Sequence, residues 1–221
     1  MFIWAHRGAS GTHDENTLAA FEAAIDRGAD GIEMDVQIYN GQPIVLHEPW
    51  LERTTGIKKY LDELSEAEFV RLTTRSGEPV PTLRQALQEI AGRCRVNLEI
   101  KAPNCESIVL AEINRQIELG VYQDSDFLIS SFDHHMLARM YQLAPHLHYS
   151  ALISHIPLQL QAVLSELPFF AIHCDVHFIN RELVEQAHAA GLKVNVYTVN
   201  RPREKEWVTT LKVDGYFTDF P

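Results

Sequence analysis

The chain has few cysteines, a deficit of basic residues and no long apolar run, and each shortage excludes a class of protein. Its three cysteines, Cys94, Cys105 and Cys174, have no CxxC spacing, so free thiols and a cytoplasmic location are expected. Nineteen basic against 30 acidic residues give a net charge of −11, which argues against nucleic acid or an anionic membrane surface as partner. No segment approaches the roughly 18 apolar residues of a membrane span, and no signal peptide is predicted.

Strand-like and helix-like segments alternate along the 221 residues, a length that suits one large domain. Eight short segments rich in β-branched or aromatic residues are predicted strands: Phe2–His6, Gly31–Ile38, Arg95–Lys101, Asp126–Phe132, His148–Ser154, Phe169–Asp175, Lys193–Val199 and Gly215–Asp219. Seven amphipathic segments are predicted helices: Thr17–Arg27, Leu83–Ile90, Ile108–Leu119, His134–Leu143, Leu158–Leu167, Arg181–Ala190 and Pro202–Leu211. This alternation predicts an α/β fold, and eight parallel strands close into a TIM (β/α)8 barrel.

The alternation is irregular in two places. More than forty residues separate the second strand from the Leu83 helix, and they include an apolar run, Pro43–Leu46, and a small helix around Ser65–Leu72. Because βα loops lie at the catalytic face of a barrel, residues 48–81 are predicted to be a small insertion over the active site of a single domain, 1–221. No clear eighth outer helix follows the last strand, so either a homodimer or the preceding helix is expected to cover its outer face.

The second strand carries two acidic side chains that face the same way. Glu33 and Asp35 are two residues apart, so both leave one face of the strand, roughly 7 Å apart along it. Two buried carboxylates repel each other and lose hydration, and a cation between them offsets both costs. This pair is therefore a candidate metal site.

More polar residues fall where other predicted strands end. His6 and Arg7 lie at the end of the first strand, His47 ends the Pro43–Leu46 run, and Glu99 and Lys101 share a face at the end of a third strand. A third carboxylate without nearby cysteine favours a hard cation such as Mg²⁺, Ca²⁺ or Mn²⁺. The arginine and the lysine supply positive charge for a phosphate, and the two histidines are a candidate acid and base. The set indicates metal-assisted phosphoryl chemistry and not a nucleophilic serine triad.

Eleven motifs are spread in order over almost the whole chain: His6-Arg7-Gly8, Glu15-Asn16-Thr17, Gly28–Val36, Val45-Leu46-His47, Leu51–Gly56, Val80–Leu83, Leu98–Lys101, Ser130-Ser131-Phe132, Ala187–Leu192, Tyr197–Asn200 and Asp214–Asp219. Together they closely resemble the glycerophosphodiester phosphodiesterase family. The resemblance implies a TIM barrel, one divalent cation, and hydrolysis of glycerophosphodiesters to sn-glycerol 3-phosphate and an alcohol in glycerophospholipid breakdown.

Carried over position by position, the resemblance also implies a set of site residues. They are the catalytic histidines His6 and His47, the metal ligands Glu33, Asp35 and Glu99, the phosphate-binding cations Arg7 and Lys101, and the substrate-contacting residues Glu15, Asn16 and Tyr197. Three positions depart from the family's usual residues. Asp14 replaces a proline, Glu48 replaces an aspartate, and Tyr197 replaces a tryptophan while keeping a flat aromatic wall with a polar tip. None of the three removes a group that the reaction requires.

The predicted reaction divides proton transfer between the two histidines. His6 is the favoured base and His47 the favoured acid, while the attacking group is either water or the glycerol 2-hydroxyl through a cyclic phosphate. Without a basic face or an amphipathic anchor, the expected substrate is a small diester such as glycerophosphocholine or glycerophosphoethanolamine. No stable membrane association is expected.

Three other activities are considered beside this one. A lysophospholipase D-type phosphodiesterase requires an exposed apolar groove in residues 48–81. A non-catalytic glycerophosphodiester-binding protein would bind substrate without releasing glycerol 3-phosphate, and the intact histidines and carboxylates argue against it. A metal amidohydrolase is expected to have a His-x-His motif after the first strand, where this chain has His6-Arg7-Gly8.

The remaining histidines receive no catalytic role from the sequence. His13 is predicted in a solvated loop, and His134 and His135 are predicted at a helix start. His173 and His177 are four residues apart, but His173 falls in a predicted strand, where that spacing does not bring two imidazoles onto one metal ion. His177 follows the strand end and is considered as a residue that lines the site, although a structural role is favoured for it.

Overall fold

The computed structural model describes residues 1–160, 164 and 167–221 of the chain. Numbered along the chain, its strands are β1 (Phe2–His6), β2 (Gly31–Tyr39), β3 (Gln42–Val45), β4 (Arg95–Ile100), β5 (Phe127–Ser131), β6 (His148–Ile153), β7 (Ala171–Asp175), β8 (Lys193–Tyr197) and β9 (Gly215–Thr218). All except β3 are parallel and run in the order β1-β2-β4-β5-β6-β7-β8-β9, and β1 also pairs with β9. This pairing closes an eight-stranded barrel, and the predicted TIM fold is confirmed.

Helices connect the strands on the outside of the barrel. They are α1 (Leu18–Asp26), α2 (Glu52–Thr55), α3 (Glu66–Phe69), α4 (Leu83–Ile90), α5 (Glu106–Glu118), α6 (His134–Leu143), α7 (Arg181–Ala189) and α8 (Pro202–Leu211), with 3₁₀ turns at Leu61–Glu63 and Asp124–Asp126. The predicted helix Leu158–Leu167 includes residues 161–163 and 165–166, and it lies outside the described residues. None of the helices in the described ranges is long and apolar enough to cross a membrane.

Short polar side chains set where several of these helices begin. Thr17, Thr82, Asp133 and Asn180 each accept a hydrogen bond from the backbone N–H three residues further on. Such caps satisfy amide groups that the first helical turn leaves without partners, and each contributes about 1 kcal/mol. The helix starts are therefore encoded locally, and the predicted bounds agree with them to within two residues.

The second strand turns back on itself in a hairpin that the sequence reading did not include. β2 runs on to Tyr39 and pairs with β3 in antiparallel fashion, with Val36 opposite Val45. Asn40 and Gly41 form the turn with φ values of 46° and 75°, the left-handed pair that a two-residue type I′ turn requires. The predicted apolar run Pro43–Leu46 is this return strand, and it delivers His47 to the carboxyl ends of the barrel strands.

Part of the inside of the barrel is apolar. Trp4, Leu128 and Phe217 form a buried cluster there. A Cβ atom at position 31 would lie 2.4 Å from the Trp4 ring, so only glycine fits there. The large indole of Trp4 thus fills space inside the barrel, and in β1 the polar His6 follows it.

Residues 48–81 have a small core of their own. Leu51, Leu61, Leu64 and Leu72 are buried and pack with apolar residues of the β2–β3 hairpin. The small predicted helix is present as α3, and its cap is confirmed because Ser65 and Glu68 bond each other's backbone amides at 2.8 and 3.3 Å. We continue to interpret this segment as an insertion over the active-site face.

The outer face of β9 lies next to the preceding helix. Tyr216 is only 4% exposed, and the Lys205 ammonium of α8 lies 5.5 Å from the centre of its ring. This contact supports coverage of that face by the preceding helix, which was one of the two possibilities that the sequence left open. The homodimer stays a prediction, to be checked by light scattering over a wide concentration range.

Candidate active site

A cavity of about 180 Å³ opens at the carboxyl ends of the barrel strands. One side is polar and is lined by His6, Arg7, Glu33, His47, Asn97, Glu99, Lys101 and Ser130. The other side is mostly apolar and is lined by Phe132, Leu152, His173, Tyr197, Thr198 and Phe217. Barrel enzymes keep their sites at this end of the fold, because side chains from different strands converge there. The cavity is therefore the candidate active site.

The three predicted metal ligands meet on the polar side. One carboxylate oxygen each from Glu33, Asp35 and Glu99 lies within 4.8 Å of the other two. Asp35 and Glu99 are directly paired in the register of β2 and β4, and Glu33 points from the same face of β2. Strand register alone thus brings the three acidic groups together.

Two cations balance part of this negative charge. The Arg7 Nε atom is 3.1 Å from Asp35 Oδ2, and the Lys101 ammonium is 3.2 Å from Asp35 Oδ1 and also pairs with Glu99. Arg7 has a left-handed backbone with φ of 58°, which non-glycine residues rarely adopt, and its backbone N–H donates to Glu33 at 2.9 Å. This unusual conformation holds the chain against the carboxylates.

The pKa values of the acidic groups reflect this crowding. Burial, together with the charges of Asp35 and Glu99, raises the pKa of Glu33 well above its ordinary value. Burial followed by the Asp35 charge likewise raises the pKa of Glu99. Burial acts in the same direction on Asp35, but the charges of Arg7 and Lys101 outweigh it and lower the pKa of that carboxyl. Additional positive charge would stabilise the ionised form of the whole cluster.

The acidic cluster fits a hard divalent cation. Glu33 uses one oxygen to accept from Arg7, and its other oxygen, Oε1, is buried with no hydrogen-bond partner among the described residues. Mg²⁺, Ca²⁺ and Mn²⁺ all take carboxylate oxygens, and a cation would satisfy this atom and reduce the repulsion. The donor set therefore agrees with the predicted metal site.

His6 is held by a carboxylate for which the sequence predicts no role. Its Nδ1 atom lies 2.7 Å from Asp219 Oδ1, and Asp219 also accepts from Asn200 at 2.6 Å and from Ser10 at 3.0 Å. Because Nδ1 is paired with Asp219, Nε2 is the ring nitrogen of His6 that this pair does not use. The ring lines the cavity. Asp219 stands in a motif that matched the family, but only the β1–β9 pairing brings it to His6.

His47 enters the site from the loop after β3. Its ring lines the cavity, and its buried Nδ1 atom has no hydrogen-bond partner within the described ranges. Burial lowers the pKa of His47 below its ordinary value of 6.5. His6 and His47 thus line one cavity, as the sequence predicts.

Of the three predicted substrate-contacting residues, only Tyr197 lines the cavity. Asn16 is 3% exposed and lies behind Asp35, to which its amide donates at 2.8 Å and from whose backbone N–H it accepts at 3.3 Å. Glu15 bonds Arg7 at 3.0 Å and also forms a two-point ion pair with Arg53. Asn16 and Glu15 therefore contact Asp35 and Arg7, and they do not themselves line the cavity.

Several other cavity residues had no site role assigned to them from the sequence. His173 and Asn97 point inward from the middle of β7 and β4, and Phe132, Thr198 and Phe217 complete the wall. His177, the histidine of this pair that the sequence suggested for the site, is outside the cavity wall and bonds Asp175 at 2.9 Å. Side chains alternate between the two faces of a strand, but which of them point into the barrel is known only once the register of the strands is known.

This arrangement defines a class of protein. A TIM barrel that gathers three buried carboxylates, an arginine, a lysine and two histidines at the carboxyl ends of its strands is typical of an enzyme that cleaves phosphate esters.

Comparisons with known proteins identify the family within this class. The model of the glycerophosphoryl diester phosphodiesterase family matches residues 6–221. Glycerophosphodiester phosphodiesterases from Bacillus altitudinis and Caldanaerobacter subterraneus subsp. tengcongensis are 33% and 32% identical, each covering 99% of this chain and 94% of their own length. A phosphodiesterase from Oleispira antarctica, solved with the product sn-glycerol-3-phosphate, is 29% identical with a TM-score of 0.90 and covers 100% of this chain and 94% of its own. The chain belongs to the glycerophosphoryl diester phosphodiesterase family and is an enzyme of that family.

Proposed function

We propose that this enzyme is metal-dependent and hydrolyses small glycerophosphodiesters, such as glycerophosphocholine and glycerophosphoethanolamine, to sn-glycerol 3-phosphate and an alcohol. The observation that carries the proposal is the cavity in which two histidines, an arginine and a lysine surround an acidic cluster. A cytoplasmic location agrees with the free state of all three cysteines.

Glu33, Asp35 and Glu99 would hold one divalent cation, with Mg²⁺ or Ca²⁺ favoured and Mn²⁺ also compatible. When bound, the cation supplies Lewis-acid stabilisation of charge on the phosphoryl oxygens. Arg7 and Lys101 lie beside the same carboxylates, so their charges act on the same part of the substrate. Arg7 and Lys101 are the only Lys or Arg among the described residues that line the cavity, and both lie on the side where the phosphate is proposed to bind.

The two histidines carry the two proton transfers, one from the attacking oxygen of water or of the glycerol 2-hydroxyl and one to the oxygen of the leaving alcohol. His6 acts as the base, because the Asp219 carboxylate stabilises the positive charge that the ring acquires when Nε2 takes a proton. His47 acts as the acid that protonates the leaving alcohol, and an anionic phosphodiester beside it favours the protonated form that this role needs. The proposal holds for attack by water and for attack by the glycerol 2-hydroxyl.

Glu15, Asn16 and Tyr197 then act in different ways. Tyr197 forms part of the cavity wall and donates its hydroxyl to the Ile153 carbonyl at 3.2 Å, which fixes the ring. Asn16 positions Asp35 through its two hydrogen bonds, and Glu15 positions Arg7. We therefore assign substrate contact to Tyr197 and support of the ion-binding and phosphate-binding groups to the other two.

Replacing Asp219 with asparagine is expected to lower kcat by about 10²-fold with a smaller change in KM, because the amide no longer stabilises the charged ring or fixes its tautomer. Steady-state kinetics measure the loss, and ¹⁵N NMR of the His6 ring measures the tautomer. Asp175→Asn is the matched control, since Asp175 likewise lies at the carboxyl end of a strand region and bonds a histidine, His177, that is outside the cavity wall. Equal kinetics of wild type and Asp219→Asn would remove the assigned role.

The surface near residues 48–81 favours a small polar substrate over a lysophospholipid. A cleft beside Lys101 has two acidic residues, Asp62 and Glu63, among its lining; the other lining residues are Gln37, Ile38, Pro49, Tyr60, Leu61, Ala102 and Pro103. An acyl chain in this cleft would lie against two exposed carboxylates, whereas a choline or ethanolamine cation would be attracted to them. The lysophospholipase D alternative therefore receives less support than the hydrolysis of deacylated diesters.

The experiment that tests the proposed function is a coupled assay of glycerol 3-phosphate release. We expect turnover of glycerophosphocholine and glycerophosphoethanolamine in the presence of Mg²⁺ or Ca²⁺, and slower release from lysophosphatidylcholine. Faster cleavage of the lysophospholipid would favour the lysophospholipase D activity instead. Binding of the diesters without product release would contradict hydrolysis.

A further inference from the structure

His173 is a fully buried histidine whose ring faces the candidate active site. It lies in the middle of β7 with 0% exposure, and it lines the cavity next to Leu152 and Phe217. The centre of its ring is 4.8 Å from that of Phe217, with the two planes inclined at 62°. Its position is therefore fixed by apolar packing.

Neither ring nitrogen of His173 has a hydrogen-bond partner in the part of the chain that the structure describes. Other histidines do have partners: His6 bonds Asp219, His134 bonds the Leu152 carbonyl at 3.0 Å, and His188 bonds Asp214 at 2.9 Å. The other histidine with a buried, unpartnered ring nitrogen is His47, which lines the same cavity. A buried polar group without a partner is costly, and a leucine or phenylalanine would fill this position at lower cost. Core packing alone does not explain the imidazole.

The location of His173 indicates what its nitrogens can bind. β7 is opposite β2 in the closed barrel, with three strands between them in either direction, so His173 faces the acidic cluster across the cavity. Burial alone lowers the pKa of His173, to about 3, so the ring is neutral near pH 7. A neutral imidazole offers one donor and one acceptor, which matches an alcohol hydroxyl and offers no charge to a phosphate.

We propose that His173 is a specificity-determining residue that hydrogen-bonds a hydroxyl group of the glycerol moiety. The inference rests on the proposed function, and it adds a recognition residue on the side of the cavity away from the carboxylates. The phosphate is held by Arg7 and Lys101, and the terminal hydroxyl of the glycerol reaches the neutral side, while the 2-hydroxyl stays next to the phosphate. A site built to bond a hydroxyl discriminates against an analogue that lacks it, because the buried polar group then stays unpaired.

Binding of two product analogues tests this role without depending on catalysis. Calorimetry with Mg²⁺ present compares sn-glycerol 3-phosphate with n-propyl phosphate, which keeps the phosphate and the three-carbon chain but has no hydroxyl. For His173→Phe we expect about tenfold weaker binding of glycerol 3-phosphate and a change of no more than about twofold for propyl phosphate. His173→Gln keeps a donor and an acceptor, so it is expected to recover part of the preference for glycerol 3-phosphate.

Ser150→Ala is the matched control. Ser150 is also fully buried with an unpartnered hydroxyl among the described residues, but it is outside the cavity wall. This variant should bind both ligands as the wild type does. Thermal unfolding of each variant verifies folding, and His173→Leu replaces His173→Phe if the larger ring prevents it. Equal weakening of the two ligands, or no weakening of either, would overturn the proposal, while the hydrolysis assay with wild-type enzyme reports separately on the proposed function.

Discussion

Replacing His47 with alanine is expected to lower kcat by about 10² or more, and His6→Ala should have an effect of similar size. Each variant removes a ring that lines the cavity beside the cluster of Glu33, Asp35 and Glu99, and general acid–base catalysis contributes about 10²–10⁴ to such reactions. Single-turnover and steady-state kinetics on glycerophosphocholine measure the loss. KM is expected to change less than kcat, because Arg7 and Lys101 still bind the phosphate.

The two substitutions also separate the roles of the histidines. A substrate with a good leaving group, such as a nitrophenyl diester of glycerol phosphate, needs little help from an acid. It should therefore restore much of the activity of His47→Ala but little of that of His6→Ala. His135→Ala, at an exposed position of α6, is the control and is expected to retain full activity. Activity near that of the wild type in either active-site variant would contradict the assignment.

The second large effect concerns the acidic cluster. Removal of divalent cations with EDTA is expected to abolish turnover, and Mg²⁺, Ca²⁺ or Mn²⁺ is expected to restore it. A cation at about 100 times its Kd stabilises the folded state by about 2.7 kcal/mol, which raises Tm by roughly 5–10 °C in a domain of this size. Differential scanning calorimetry with and without cation measures this shift independently of activity.

Glu33→Gln is expected to maintain or raise the stability without cation and to weaken the binding of the cation. The substitution removes a buried carboxylate whose pKa is raised by burial and by its acidic neighbours, so without cation the variant is expected to have a Tm equal to or above that of the wild type. Its Tm should then respond little to added cation, and its turnover should be low.

The control for this comparison is Glu112→Gln. Glu112 is also buried but bonds Arg84 at 2.7 Å on the outer helices. We expect this variant to keep the full cation-dependent shift of Tm. A wild-type response to cation in Glu33→Gln would show that the ion is bound elsewhere.

The sequence was sufficient for those parts of the fold that depend on local patterns. Helix starts such as Thr17 and Thr82 were readable because a capping side chain acts on amides only a few residues away. The β2–β3 hairpin differs from the sequence expectation, because a short apolar run within a long connection does not by itself predict a return strand, although Asn40-Gly41 is a strong turn signal. The position of His47 therefore became clear only with the return strand in place.

By itself, the sequence determined the βα alternation, the residues at the strand ends, and the acidic pair in β2, because periodicity, caps and turns act over a few residues. Only the tertiary structure decided which distant groups meet. His6 and Asp219 are 213 positions apart and bond each other because barrel closure pairs the first strand with the last. The same closure turns His173 into the cavity, opposite the acidic cluster, and fixes Asn16 behind Asp35. Strand register and closure join residues from opposite ends of the chain, and no local pattern records those neighbours.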